Sequence, residues 1–335
     1  MKEIVGRGSI RHLAELLHGS VLVLSRPSLL ARFASLLEPV FRQFDAVYYT
    51  YINPNPKKDE IDRAVAVLGG RKFDVIAAIG GGSVMDFAKA YRFYQKMSAK
   101  LVAVPTTAGT GSEATQFAVV YVDGKKASLD DASMLPDSSI VDSQFIEKAP
   151  AAVKAAPAMD AYCQAVESYW AKGADAESRA YAIEAVKLCR EHLVQAVTTS
   201  DPAANEKMAY AAHLAGKAIN ISRTTAAHAL SYAITTKYGI PHGHAVALSL
   251  PGLLQKNLCC LTGEEQEELL SAMGIAEDQI SSYFHELMEK IGLADSCSAL
   301  GIADLEGIVS SVNPQRLANN PRSLTREDLL QILPV

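Results

Sequence analysis

The chain has no block of lysines or arginines, no long apolar run and no paired cysteine spacing, and each absence narrows its function. Without a basic block or a basic amphipathic face, and with a net charge of −5, nothing favours nucleic acid or a membrane surface as a partner. No apolar run reaches the roughly 20 residues that a membrane-spanning helix needs. Cys163, Cys189, Cys259, Cys260 and Cys297 show no CxxC spacing, which suits reduced thiols better than a disulfide framework or a thiolate metal clip. There is no GxGxxG fingerprint, no internal repeat and no low-complexity linker. The opening stretch MKEIVGRGSIRHLAELL carries charges where a secretory signal needs an apolar centre. The expectation is a soluble cytoplasmic protein.

What is present is enough for two domains: 335 residues, 49% of them hydrophobic. Over residues 1–150, short apolar runs (VLVLS, AVYYTYI, DVIAAI, KLVAVP) alternate with helical patterns such as 29–41, DEIDRAVAVLGG and VMDFAKAYRFYQ. That alternation predicts an α/β domain built on a parallel sheet. Over 151–335 the chain turns to Ala-rich helical segments, at 151–170, 175–198, 203–219, 226–237, 243–257 and 264–291, which predicts an all-α domain.

Chemistry concentrates in three places. Asp160 and Gln164 are four apart in a helical stretch and share a face; His228 and Tyr232 repeat that spacing, and His242 opens a further helix after Pro241. A carboxylate and two imidazoles suit a divalent metal such as Fe(II) or Zn(II), with Gln164 as a fourth candidate ligand. Gly81, Gly82 and Ser83 follow one strand, and Thr106, Thr107 and Thr110 follow the next. A tight turn uses the same glycines, but two such loops in succession suit one extended phosphate-bearing ligand across the carboxyl edge of a sheet. At the end of the VLVLS strand stand Ser25 and Arg26, where an acidic residue would select NADH, so NADPH is the expected cofactor, with NADH as the alternative.

The motifs GGGSVMDFAKA, VPTTAGTGSEAT, PHGHAVALSLP and NNPRSLT, with the Asp160/His228/His242 spacing, resemble the iron-containing (group III) alcohol dehydrogenases over nearly the whole chain. The resemblance implies a dehydroquinate synthase-like architecture: a dinucleotide-binding α/β domain followed by a helical metal-binding domain. It also implies NAD(P)-linked interconversion of an alcohol and a carbonyl compound. It places Gly81, Gly82, Ser83 and Asp86 at the pyrophosphate and ribose, and Thr106, Thr110, Thr115 and Lys126 around the rest of the cofactor. This chain departs from the family at Gln164 and Tyr232, where histidine is common. Tyr232, His244 or water then become candidates to protonate a nascent alkoxide.

The stretch NISRTTAAH puts Arg223 among the cap-type residues Ser222, Thr224 and Thr225. Free helix N–H groups beside a guanidinium predict an oxyanion site, and hence a small anionic aldehyde as substrate. Together with ESYW, HALSY and PHGHAVAL, the stretch is similar to the phosphonoacetaldehyde reductase branch, although Ala227 replaces the proline of that branch. The remaining readings are a reductase of another short aldehyde such as succinic semialdehyde, a lyase of the dehydroquinate synthase type, and a non-catalytic nucleotide-binding protein. Exposed strand edges suggest a homodimer.

Overall fold

A computed structural model describes residues 1–199 and 201–334. The chain divides into two compact units, Met1–Ile146 and Glu147–Val335.

The first unit runs β1 (Lys2–Val5), α1 (Leu13–Leu16), β2 (Ser20–Leu24), α2 (Pro27–Arg32), α3 (Ala34–Phe41), β3 (Asp45–Tyr49), α4 (Lys58–Leu68), β4 (Val75–Gly80), α5 (Gly82–Tyr94), β5 (Lys100–Pro105), β6 (Phe117–Val122), β7 (Lys125–Asp130) and β8 (Ser138–Val141). Six strands form one sheet in the order β1-β8-β5-β4-β2-β3, and every pairing in it is parallel. Parallel strands need crossover connections, and the resulting helices cover both faces, so the inner strands are buried throughout. The residues Val75–Gly80 of β4 are accordingly all buried. Alternate side chains feed two cores, with Leu22, Leu24, Ile76 and Ala78 on one face and Val21, Val23, Val75 and Ala77 on the other.

From β2 the chain moves outward to β3, then returns to the other side of β2 as β4. That reversal is the switch point at which open α/β sheets bind ligands, beyond the carboxyl ends of the strands. β6 and β7 form a separate antiparallel hairpin that the sequence reading missed, although Asp123-Gly124 between FAVVYV and KKASLD is a two-residue turn signal and both residues adopt positive φ. Its strands are partly exposed, and KKASLD lacks the β-branched, apolar composition of a typical strand.

The second unit is helical: α6 (Ala151–Trp170), α7 (Ala176–Thr198), α8 (Pro202–Ser222), α9 (Ala226–Tyr238), α10 (His242–Asn257), α11 (Gly263–Met273), α12 (Ile280–Lys290), α13 (Leu305–Ser310), α14 (Pro314–Leu317) and α15 (Arg326–Ile332). α6 is its central element and packs against α7, α8 and α10. Apart from Pro157, every residue of α6 from Lys154 to Trp170 is buried. Alanines let the neighbouring helices approach, while Tyr162, Tyr169 and Trp170 fill the remaining space. The expected single helix over 264–291 is broken at Gly274, which ends α11 in the left-handed conformation with φ 71°. The expected helix over 29–41 likewise divides at Phe33 into α2 and α3.

Candidate active site

α6 carries Asp160, Gln164 and Glu167 on one stripe into this apolar interior, at i, i+4 and i+7. Burying a carboxylate without partners costs several kcal/mol, so both acids need compensation. Asp160 finds it in two imidazoles, with His228 Nε2 at 3.3 Å and His242 Nε2 at 3.9 Å from its Oδ1. Asp160, His228 and His242 each offer a ligand atom, and these atoms lie within 4.8 Å of one another. Burial alone would raise the Asp160 pKa, but His242, His228 and the Gln164 amide outweigh it and hold the carboxyl below its ordinary value.

Glu167, which the sequence reading did not single out, organises the other side of His228. One carboxylate oxygen accepts from Thr225 Oγ1 at 2.6 Å and from the backbone N–H groups of Thr225, Ala227 and His228 at 3.1, 3.0 and 3.4 Å. The other oxygen binds His228 Nδ1. A buried side chain on α6 therefore caps the start of α9 and fixes the tautomer of its histidine. Such a carboxylate–histidine pair behind a metal ligand raises the ligand's basicity and sets its orientation. Burial works to lower the His228 pKa, yet Glu167 and Asp160 prevail and raise it to about 9. The spacing 160/164/167 is the sequence signal that would have found Glu167.

Ser231 does the same for His242. Its hydroxyl donates to the His228 carbonyl at 2.8 Å, so at 3.3 Å it is left to accept from His242 Nδ1–H. Both imidazoles thus turn Nε2 towards Asp160. The position of His242 depends on Gly243: a Cβ there would collide with the Ala156 carbonyl and with Asp160, so only glycine lets α10 lie this close to α6.

Whether these residues suit a metal is decided by the donor set and by Gln164. One carboxylate and two imidazoles in their metal-binding tautomers match a borderline divalent cation. The buried Gln164 Oε1 has no hydrogen-bond partner, although its amide supports Asp160. An orphaned buried carbonyl oxygen beside three converging ligands is what a cation would satisfy.

Other expected residues fall elsewhere. Tyr232 stacks on His242, with ring centroids 5.8 Å apart and planes at 6°, and its hydroxyl accepts from Arg316 at 2.6 Å. Burial raises the Tyr232 pKa above its ordinary value, and Arg316 opposes that rise only in part. His244, two residues from His242 and so on the opposite face of α10, bonds the Ala294 carbonyl at 2.6 Å and is not part of the cluster. Burial lowers its pKa.

The expected oxyanion site at NISRTT is corrected by the structure. The helix N–H groups that were to bind a substrate are already taken by Glu167. Ser222 is fully buried, and its hydroxyl lies 2.7 Å from that of Ser168. Arg223 closes α8 at φ 66° and turns its guanidinium back onto the Asn220 carbonyl.

In the first unit, the two glycine-containing loops leave β4 and β5 at the paired residues Gly80 and Pro105. A Cβ on Gly81 would meet Thr107 at 3.3 Å, and one on Gly82 would meet Thr110 at 3.0 Å, so the glycines let the loops lie against each other. Gly82 opens α5, so the first turn of that helix starts at that junction. Thr106 is buried and tied to Gly80 through its backbone N–H, and Ser83 Oγ accepts from the Asn55 N–H at 3.3 Å.

Beneath the loops lies a buried lysine that the sequence reading also missed. Lys89 donates to Ser112 Oγ at 2.9 Å, Thr115 Oγ1 at 3.0 Å and the Phe117 carbonyl at 2.9 Å. Burial lowers its pKa to about 8, and it raises that of Asp86 to about 6, against the pull of Lys89 and Lys126. Thr115 therefore braces the loop from within. At the end of β2, Ser25 is also internal, donating to the Ile79 carbonyl at 2.8 Å, while Arg26 is exposed.

Comparisons with known proteins agree with both units. The model for iron-containing alcohol dehydrogenase matches residues 2–143, and that for the C-terminal part of the Fe-containing alcohol dehydrogenase family matches 154–334. The NAD-dependent methanol dehydrogenase of Bacillus methanolicus is 29% identical over 98% of this chain and 96% of its own length. The phosphonoacetaldehyde reductase of Streptomyces viridochromogenes is also 29% identical, over 90% and 85%. Among solved structures, the sulfoacetaldehyde reductase of Bifidobacterium kashiwanohense in complex with NAD+ superposes with a TM-score of 0.90 at 27% identity, covering 99% of this chain and 96% of that one.

Proposed function

Because this chain belongs to the iron-containing alcohol dehydrogenase family, we propose that it is a metal-dependent, nicotinamide-linked reductase of a short aldehyde with an anionic tail. The substrate we favour is phosphonoacetaldehyde, reduced to 2-hydroxyethylphosphonate. The observation that carries the metal-dependent reading is the convergence of Asp160, His228 and His242, with Glu167 and Ser231 holding both imidazoles in the ligating tautomer. A relative that reduces phosphonoacetaldehyde and a structural neighbour named for sulfoacetaldehyde support the anionic substrate.

In this reading Asp160, His228 and His242 hold the divalent ion, with Gln164 Oε1 as a weak neutral fourth donor. When bound, the ion polarises the carbonyl oxygen, and the nicotinamide supplies the hydride. The chain itself supplies the groups that bind and orient. Gly81, Gly82 and the start of α5 bind the pyrophosphate, Thr107 and Thr110 border it, and Lys89 holds the threonine loop rigid. Tyr232, half-buried beside His242, is placed to pass a proton to the product oxygen. Arg26, with no carboxylate near the end of β2, favours NADPH over NADH.

The test is a steady-state panel: phosphonoacetaldehyde, succinic semialdehyde and propanal, each with NADPH and NADH, on protein stripped of metal and reloaded with Fe(II) or Zn(II). The reading predicts the highest kcat/KM for phosphonoacetaldehyde with NADPH, and loss of turnover on stripping. Turnover that survives complete metal removal, or a clear preference for propanal, contradicts it.

A further inference from the structure

The helix start beside Arg223 is closed to an anion, which leaves open what would hold the charged end of such a substrate. A different guanidinium sits against Tyr232, the neighbour of His242. Arg316, in α14, donates to the Tyr232 hydroxyl at 2.6 Å, and its Cζ lies 4.7 Å from the centre of the Tyr232 ring. Tyr232 in turn stacks on His242. The Tyr232 ring thus contacts both this guanidinium and the imidazole of a metal ligand.

That ligand marks the open side of the cluster. The His242 side chain is 34% exposed, against 5% for His228 and 3% for Asp160. Arg316 is half-buried and makes no ion pair among the described residues. A guanidinium has five N–H donors, and Tyr232 engages one of its nitrogens. A partly desolvated cation with donors to spare, one ring from a metal ligand, is matched to a carboxylate, sulfonate or phosphonate.

The segment that presents Arg316 is fixed rather than loose. Asn319 Nδ2 donates to the carbonyls of Ser222 and Thr224 at 2.8 and 3.0 Å, which ties this segment to the turn entering α9. Asn320 and Asn257 exchange two buried side-chain hydrogen bonds, at 2.9 and 3.0 Å. The Asn319 bonds tie the segment next to α9, which carries His228 and Tyr232, and the Asn320 bonds tie it to the end of α10, which carries His242. Preorganisation of this kind is what a site that selects one end of a small molecule requires.

We propose that Arg316 is the specificity-determining residue of this site and holds the anionic tail of the aldehyde while its carbonyl faces the metal ligands. The proposal rests on the reductase reading above and adds to it the residue that chooses the substrate.

The experiment compares the metal-loaded wild type with Arg316→Gln and Arg316→Lys. The quantity read is the ratio of kcat/KM for phosphonoacetaldehyde to that for propanal. A hydrogen bond between charged partners contributes enough that this ratio should fall about 10- to 100-fold in Arg316→Gln, and less in Arg316→Lys, which keeps the charge but not the fork. Calorimetric titration with ethylphosphonate, which has no carbonyl to reduce, should show a parallel loss of affinity.

Equal losses on both aldehydes would mean that Arg316 only positions Tyr232, and would overturn the proposal. Unchanged ethylphosphonate affinity in Arg316→Gln, or no binding by the wild type, would overturn it as well. The two readings fail separately. A wild type that binds ethylphosphonate through Arg316 but reduces no aldehyde keeps the anion site and removes the reductase. One that prefers phosphonoacetaldehyde to propanal equally in the wild type and in Arg316→Gln keeps the reductase reading and removes Arg316 from it.

Discussion

Glu167 is fully buried, yet its carboxylate has five hydrogen-bond partners: one hydroxyl, three backbone N–H groups and an imidazole. These partners explain why burial fails to raise its pKa, which the His228 imidazole and Thr225 hold below the ordinary glutamate value. Its contribution to a metal site is indirect, since it turns His228 and makes Nε2 the basic nitrogen. Glu167→Gln keeps the volume and one oxygen acceptor but removes the charge. It should weaken metal binding about 10- to 100-fold, the usual effect of losing a carboxylate behind a ligating histidine. Competition with a chromogenic chelator measures this without turnover, and an unchanged affinity would show that Glu167 serves only as a helix cap.

At the scale of elements, the site depends on how closely helices and loops approach. α10 reaches α6 because Gly243 has no side chain, and the β4 and β5 loops lie together because Gly81 and Gly82 have none. Gly243→Ala places a methyl group against the Ala156 carbonyl and Asp160. Overpacking of this kind costs about 1–3 kcal/mol. It should also push His242 away from Asp160, so the variant should both melt earlier and bind metal more weakly. A melting temperature and chelator competition equal to those of the wild type would refute this account of the glycine. Element identity was largely legible from periodicity, as in α6 and α9, but not where the pattern continued through a break. The run 264–291 keeps its helical composition across Gly274, and only the positive φ at that residue ends α11. The β6–β7 hairpin was legible in FAVVYV and the Asp123-Gly124 turn but was overlooked, because its second strand, KKASLD, is polar and largely exposed.

For the whole molecule, metal binding and stability are linked, because an ion that binds only the folded state stabilises it by about 2.7 kcal/mol at a hundred times its Kd. Without metal, the protonated His228 takes over part of that role between Glu167 and Asp160. Its folded pKa of about 9 lies above the ordinary 6.5, so the stabilisation is complete below pH 6.5 and is lost as pH rises through about 9. Stripped protein should therefore melt at progressively lower temperature between pH 6.5 and 9. Metal-saturated protein, in which His228 is already neutral, should not show that decline. Differential scanning calorimetry of both forms across this range tests the linkage, and parallel profiles would refute it.

The sequence alone determined the two-part α/β and all-α architecture, since strand–helix alternation and then uninterrupted helical periodicity are local patterns. It also marked Asp160, His228, His242 and the two glycine loops, because residue types suited to metals and phosphates stand out even without coordinates. It could not assign partners. Glu167 reads as one more acid on a helix until tertiary packing sets it against a helix start 58 residues away. Arg223 reads as an anion binder until the same packing fills that helix start with a carboxylate. Arg316 reads as a charge in a polar tail until α14 packs on α9 and Asn319 ties the segment to the turn before that helix. Which donors are already satisfied is a property of long-range contacts, and a local pattern carries no record of them.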